Sequence, residues 1–176
     1  MVLEEQPDKK IAVIDSRSAG SELVLLVKKI CELIESGADF ETVVEKAELY
    51  SRHTHVVFAL SSFNNLVKNG RMSKIVGFVA NKLGFWGIGI GSEQGTIEIK
   101  QKIRGSKKAL DAIIEDMKER GYNCGKVVIS HCRNAEFAES VKSAIQSVWD
   151  KAEVKIVHAR GLCSYYAEKG GLIIGF

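Results

Sequence analysis

The chain has 176 residues, 45% of them hydrophobic and 27% charged, with a formal net charge of +3. That size and balance suit one good core or two small ones and exclude disordered and fibrous classes. Lysines and arginines are interleaved with acids rather than grouped, which argues against a nucleic-acid surface, because counterion release needs a concentrated basic face.

In chain order, Met1 to Lys10 is polar and carries acids as well as lysines, unlike a secretory signal, so a cytoplasmic location is expected. Ile11 to Ile14 is a short apolar run closed by Asp15-Ser16-Arg17-Ser18 and predicts a buried strand. From Ser21 the residues Leu23, Leu26, Val27, Ile30 and Ile34 recur at helical spacing and stop at Gly37. Asp39 caps a second predicted helix with Phe40, Val43, Val44 and Ala47 on its apolar face. Val56 to Leu60 returns to strand character.

A short helix near Asn64 stops at Gly70, and a further apolar helix spans Ile75 to Leu83. Phe85 to Gly91 and Thr96 to Ile103 predict a hairpin, with Ile97, Ile99 and Ile103 alternating against Glu98, Lys100 and Lys102. Lys107 to Arg120 is a helix with Leu110, Ile113, Ile114 and Met117 on one face. Lys126 to Ser130 is a strand, Ala135 to Trp149 a helix after an Asn134 cap, and Val154 to Val157 and Leu172 to Ile174 form a terminal strand pair. The fold class is α/β: a mixed sheet with helices packed on it, preceded by a remnant strand and helices of a first α/β domain. Residues 1–52 form that remnant and residues 53–176 the main unit.

No apolar run approaches the roughly 20 residues that span a bilayer. The four cysteines, Cys31, Cys124, Cys132 and Cys163, have no CxxC spacing and are expected to be reduced thiols, several of them buried. His53-Thr54-His55 offers two imidazoles without a third ligand, so no metal site is expected. His131-Cys132 point to opposite faces of a strand, and no nucleophile–base set emerges. In Phe85 to Gly91, Gly87, Gly89 and Gly91 share one strand face. Two readings stand: a smooth groove wall for an alkyl chain or another backbone, or close packing of the Ile75 to Leu83 helix onto the sheet. Gly70-Arg71-Met72-Ser73 sets a guanidinium and a hydroxyl at a helix start, where an anion is favoured, although an arginine there also serves as a surface or salt-bridged residue. The basic stretch Lys100 to Lys108 reads as a solvated strand-to-helix junction.

Several segments together resemble the DegV family. Val13 to Ala19 resembles its V-x-D-S-K/R-x-A stretch, Leu66 to Lys74 its L-x-x-G-G-R-I-S-K, Lys102 to Ala109 its K-x-R-G-x-K-K-A, and Ile129-Ser130-His131 its I-x-H strand. The resemblance implies a two-domain bacterial carrier that buries a fatty acid, with the carboxylate between domains and the tail in the C-terminal one. Such a carrier presents the acyl chain to a separate fatty acid kinase and is not itself an enzyme; no cofactor is implied. The implied lipid-binding residues are Arg71 and Ser73 near the head group, Tyr166 in place of the family's histidine, and Val76, Val79, Gly87 and Gly89 along the tail. The family's N-terminal portion is absent before Val13. The alternative is an interaction module or homo-oligomerising subunit without ligand; a third reading is a phosphate-handling enzyme using Arg71 and the Lys102 to Lys108 cluster, for which a base is lacking.

Overall fold

Apolar runs bounded by polar turns become strands where a neighbour can complete their ladder. The computed structural model describes residue 6, residues 8–72 and residues 84–176. Within them, β1 (Val56–Leu60), β2 (Phe85–Gly91), β3 (Ile97–Arg104), β4 (Lys126–His131), β5 (Glu153–His158) and β6 (Leu172–Gly175) form a single sheet in the order β3-β2-β1-β6-β4-β5. Only β4 and β5 run parallel; every other pairing is antiparallel. The fold is therefore α/β with a mixed sheet. The six described helices are α1 (Ser21–Glu35), α2 (Phe40–Ser51), α3 (Asn64–Lys68), α4 (Ser106–Glu119), α5 (Ala135–Val148) and α6 (Gly161–Ala167).

One sheet face carries the main core. Val57, Ala59, Ile88, Ile129 and Ile174 meet Ala109, Ile113 and Met117 of α4 and Phe137, Val141 and Ile145 of α5, all buried. The helical spacing read along 107–120 thus names the face that packs, although Leu110 is only partly buried. Trp86 stacks on Phe137 at 4.8 Å between ring centroids, closing the hairpin end. Asp116, alone among acids on this buried face of α4, is held by Lys100 at 2.9 Å and Arg120 at 2.9 Å. A buried carboxylate persists only when paired in this way.

Several expectations are corrected. Ile11–Ile14 is not a strand, since no described strand pairs with it and an unpaired strand leaves its backbone groups unsatisfied. β5 and β6 are not paired; β6 inserts between β1 and β4, placing the last strand at the centre of the sheet. The pairing of β2 with β3 shifts register between Ile88 and Gly89. This irregularity breaks the period-2 alternation along β3: Ile103, opposite Trp86, joins the main core, whereas Ile99, opposite Gly89, joins the other face. None of the four cysteines is fully buried: Cys31 and Cys124 are exposed, Cys132 and Cys163 half-buried. The predicted helix Ile75 to Leu83 lies outside the described residues.

Helix α1 also differs in its orientation. Leu25, Leu26 and Leu33 are buried, while Leu23, Val27 and Ile34 of the predicted stripe are 39%, 51% and 59% exposed. The helix is anchored on β4 and β6: the Ser21 hydroxyl donates to the Ile173 carbonyl at 2.7 Å and shares a hydrogen bond with the Ser130 hydroxyl at 2.7 Å. Within residues 1–52, α1 sits directly on the six-stranded sheet, with α2 packed beside it.

Candidate functional site

On the face opposite α4 and α5, a second apolar cluster is built from Phe58 and Leu60 of β1, Phe63 and Leu66 around α3, and Ala167 of α6. Met72, Ile99, Cys132, Tyr166 and Ile173 pack around it. It gathers at the Leu60 end of β1, where β6 begins and where α3 and α6 meet.

The glycine face of β2 lies under this cluster, where aromatic side chains rather than open space meet Gly87 and Gly89. Both are buried, and both are covered by aromatic rings. A Cβ on Gly87 would stand 2.1 Å from Cζ of Phe63, and one on Gly89 would stand 2.4 Å from Cζ of Phe58 and 2.4 Å from the Glu98 carbonyl. Real atoms do not approach so closely, so the glycines let two phenylalanine rings lie directly on the strand backbone. A wall offered to any ligand at this point is aromatic side chain, with the glycines beneath it. The glycine pattern was legible in sequence; Phe58 and Phe63 as the occupants were not, because cross-strand and loop contacts have no sequence spacing of their own.

Arg71 is exposed in the bend after α3, where its N–H donates to the Leu66 carbonyl at 2.9 Å and Gly70 supplies a left-handed turn with φ 67°. Its neighbour Met72 packs into the second cluster. Tyr166 is half-buried on α6, packed against the same cluster and edge-on to Tyr165 at 5.3 Å. Its hydroxyl makes no hydrogen bond among the described residues. The structure thus brings the Arg71 bend and Tyr166 to one apolar cluster, together with Gly87 and Gly89. Ser73, Val76 and Val79 lie outside the described residues.

A polar network that sequence reasoning missed holds α6 to α3. Glu168, in the left-handed region at φ 52°, accepts from the Ser62 hydroxyl at 2.6 Å and from the Asn65 N–H at 2.9 Å. The Asn65 side chain donates to the Tyr165 carbonyl at 2.8 Å, and Asn69 donates to the Tyr165 hydroxyl at 3.0 Å. Asparagines in a short helix are a weak signal for caps and turns, and nothing in their spacing points one hundred residues ahead.

At the other end of β1 a cleft of about 660 Å³ opens between the Asp15–Arg17 strap, α1, α2 and the β2–β3 hairpin. Arg17 closes its rim by donating to the Glu93 carbonyl at 2.8 Å. Glu22, 7% exposed, accepts from Thr54 at 3.0 Å and from Ser18, and burial pushes its carboxyl above the usual range despite these bonds and the nearby Arg120 charge. Burial, with the Arg120 charge beside it, lowers the His55 imidazole. With four acids and three arginines on its walls, this cleft suits charged groups rather than hydrocarbon.

Among the described residues no group of three histidines, cysteines or acids is arranged to hold a metal. His53 bonds the Leu49 carbonyl at 2.8 Å while His55 stacks on Phe176, so the two do not converge. No described helix is long and apolar enough to cross a membrane. Lys102, Arg104, Lys107 and Lys108 are all exposed at the β3–α4 junction.

Comparison with known proteins adds a second line of argument. A family model described as "Uncharacterised protein, DegV family" matches residues 1–176. A DegV domain-containing protein of Streptococcus pneumoniae is 44% identical over 174 residues, covering 99% of this chain and 62% of the relative. The crystal structure of the Streptococcus pneumoniae fatty acid kinase (Fak) B3 protein loaded with linoleic acid superposes with a TM-score of 0.95 at 44% identity, covering 99% of this chain and 62% of that one. A DegV family protein from Eubacterium eligens loaded with heptadecanoic acid gives a TM-score of 0.95 at 37% identity, covering 99% of this chain and 63% of that one. The chain thus spans somewhat less than two thirds of the length of these relatives. With the α/β mixed sheet, the motifs along 13–19, 66–74 and 102–109 and these matches in agreement, the chain belongs to the DegV family.

Proposed function

We propose that this chain binds a long-chain fatty acid and presents it to a separate fatty acid kinase, without catalysing a reaction itself. The observation that carries the reading is the similarity, at a TM-score of 0.95 and 44% identity, to a protein whose crystal structure holds linoleic acid. The apolar cluster of Phe58, Phe63, Leu66 and Tyr166 supports it from the chain's own side. In this reading Arg71, Ser73 and Tyr166 stand near the carboxylate, and the tail runs along Val76, Val79 and the aromatic rings over Gly87 and Gly89. A tail of about 16 carbons would contribute on the order of 10 kcal/mol at about 0.8 kcal/mol per methylene, before the costs of association. Apolar burial dominates affinity, and the head group sets orientation.

The test is mass spectrometry of an organic extract of the purified protein, followed by addition of a fatty acid kinase and ATP. A fatty acid at one per chain, converted to acyl phosphate only when the kinase is present, is the expected result. A protein that carries no lipid and takes none up on incubation refutes binding.

A second reading is favoured by one observation: Leu23, Val27 and Ile34 form an exposed apolar stripe on α1, the kind of surface that associates. In it the chain is an interaction or homo-oligomerising module. Light scattering that shows a lipid-free oligomer, dissociated by Val27→Asp, would support it over the first.

A further inference from the structure

At the carboxyl ends of the parallel strands β4 and β5, two imidazoles pack against each other at a tilt. His131 and His158 occupy matching positions in the register, with ring centroids 4.6 Å apart at 52°. His131 is only 4% exposed, whereas His158 is exposed. Nδ1 of His131 accepts the backbone N–H of Asn134 at 3.1 Å, a bond that requires Nδ1 to be without a proton. The Asn134 side chain in turn donates to the Gly170 carbonyl at 2.8 Å. Gly170 N–H donates to the Cys132 carbonyl at 2.8 Å and Cys132 N–H to the Gly171 carbonyl at 2.9 Å. Arg133, inside this loop, holds a left-handed φ of 53° that a non-glycine residue adopts only when its surroundings enforce it.

These bonds form one side of a bracket around the turn between α6 and β6. The other side is Glu168, tied to Ser62 and Asn65. Tyr166 stands on the last turn of α6, immediately before that bracket.

We propose that His131 and Asn134 are positioning residues that form a proton-sensitive latch on the α6–β6 turn, setting the place of Tyr166 at the head-group end of the lipid site. The link to lipid rests on the fatty-acid reading above; the latch itself does not. A proton on Nδ1 would face the Asn134 N–H donor to donor, and the bond would be lost. It would also put a positive charge beside His158. The remaining neighbours offer no compensation: β6 presents Leu172 opposite His131, the flanking loops carry Arg133 and Arg160, and Glu136 at the start of α5 is exposed.

Burial first, and the charge of His158 second, hold the His131 imidazole below its ordinary 6.5. A base whose folded value is depressed adds stability that is complete above 6.5 and is lost as pH falls from there through the folded value. The latch is therefore closed at neutral pH and opens in mild acid.

Hydrogen–deuterium exchange, corrected for intrinsic rates, tests this on the purified chain at about pH 7.5 and about pH 5.5. The Gly170 and Gly171 amides of the wild type should lose protection at the lower pH. In His131→Asn, Oδ1 takes the acceptor position of Nδ1 without titrating, so protection should be equal at both pH values. Asn134→Ala should be poorly protected at both. Wild-type protection that is unchanged with pH, or a His131→Asn variant that loses it as the wild type does, overturns the latch. Since the wild-type comparison stands alone, a variant that fails to fold does not remove the test. Fatty-acid content measured on the same samples separates the two ideas: lipid absent at both pH values sinks the fatty-acid reading and leaves the exchange result intact.

Discussion

Gly87→Ala perturbs the candidate site at its tightest point. The added methyl would stand 2.1 Å from Cζ and 2.6 Å from Cε2 of Phe63, where ordinary carbon contacts are about 3.5–4.0 Å. The ring must therefore withdraw by more than 1 Å, yet Phe63 is 1% exposed and packed in one buried cluster with Leu66. Overpacking of this kind costs about 1–3 kcal/mol, offset by about 0.4–1 kcal/mol from the lower chain entropy of alanine when unfolded. Taking the middle of both ranges, a net loss of about 1.3 kcal/mol should lower Tm by roughly 3–5 °C for a chain of this length. Urea unfolding followed by tryptophan fluorescence and circular dichroism measures it, with a reduced midpoint at unchanged slope. Phe63→Leu supplies the control: it removes the ring tip, so the double variant should be less destabilised than the sum of the singles, with a coupling of at least about 0.5 kcal/mol. Additive effects, or a Gly87→Ala midpoint equal to that of the wild type, would refute the close-approach argument. Gly89 is a poorer probe of lipid contact, because its methyl would also meet the Glu98 backbone carbonyl, and the β2–β3 ladder would open whether or not a ligand is present.

Three further outcomes are expected. Asp116→Asn removes the charge shared by Lys100 and Arg120; because those partners are only partly shielded, the loss should be about 2 kcal/mol by chemical denaturation, and Lys100→Met should cost less than half of it. Glu22 has a carboxyl raised by burial, so its contribution to stability is present at low pH and lost as pH rises from 4.5 through the folded value; Glu22→Gln should flatten that part of the Tm–pH profile, and an unchanged profile would contradict the burial. Tyr122, desolvated between Trp149 and Phe176, is pushed up to about 12; ultraviolet titration should show a late tyrosinate component that shrinks in Tyr122→Phe.

The sequence by itself determined what depends on local periodicity and punctuation. The helix starting at Ser21, the Asp39 cap with its bond from the Thr42 N–H at 2.8 Å, the β2–β3 hairpin and the packing face of α4 all follow from spacing, and each appears where expected. The family was legible too, because its motifs carry fixed residue types in fixed order. Tertiary structure alone decided the rest. Ile11–Ile14 has strand composition, but a strand exists only by pairing, and pairing is not local. Leu23, Val27 and Ile34 repeat at helical spacing, yet the sheet buries Leu25, Leu26 and Leu33, because an apolar helix with two greasy sides is oriented by the contacts it makes, here Ser21 on Ile173 and Ser130. The irregularity between β2 and β3 sent Ile103 and Ile99 to opposite cores, a change of one residue that alternation cannot foresee. So too with the site: three glycines announced a bare strand face, and only the folded chain showed that Phe58 and Phe63 lie on it, since what fills a space is set by elements distant in sequence.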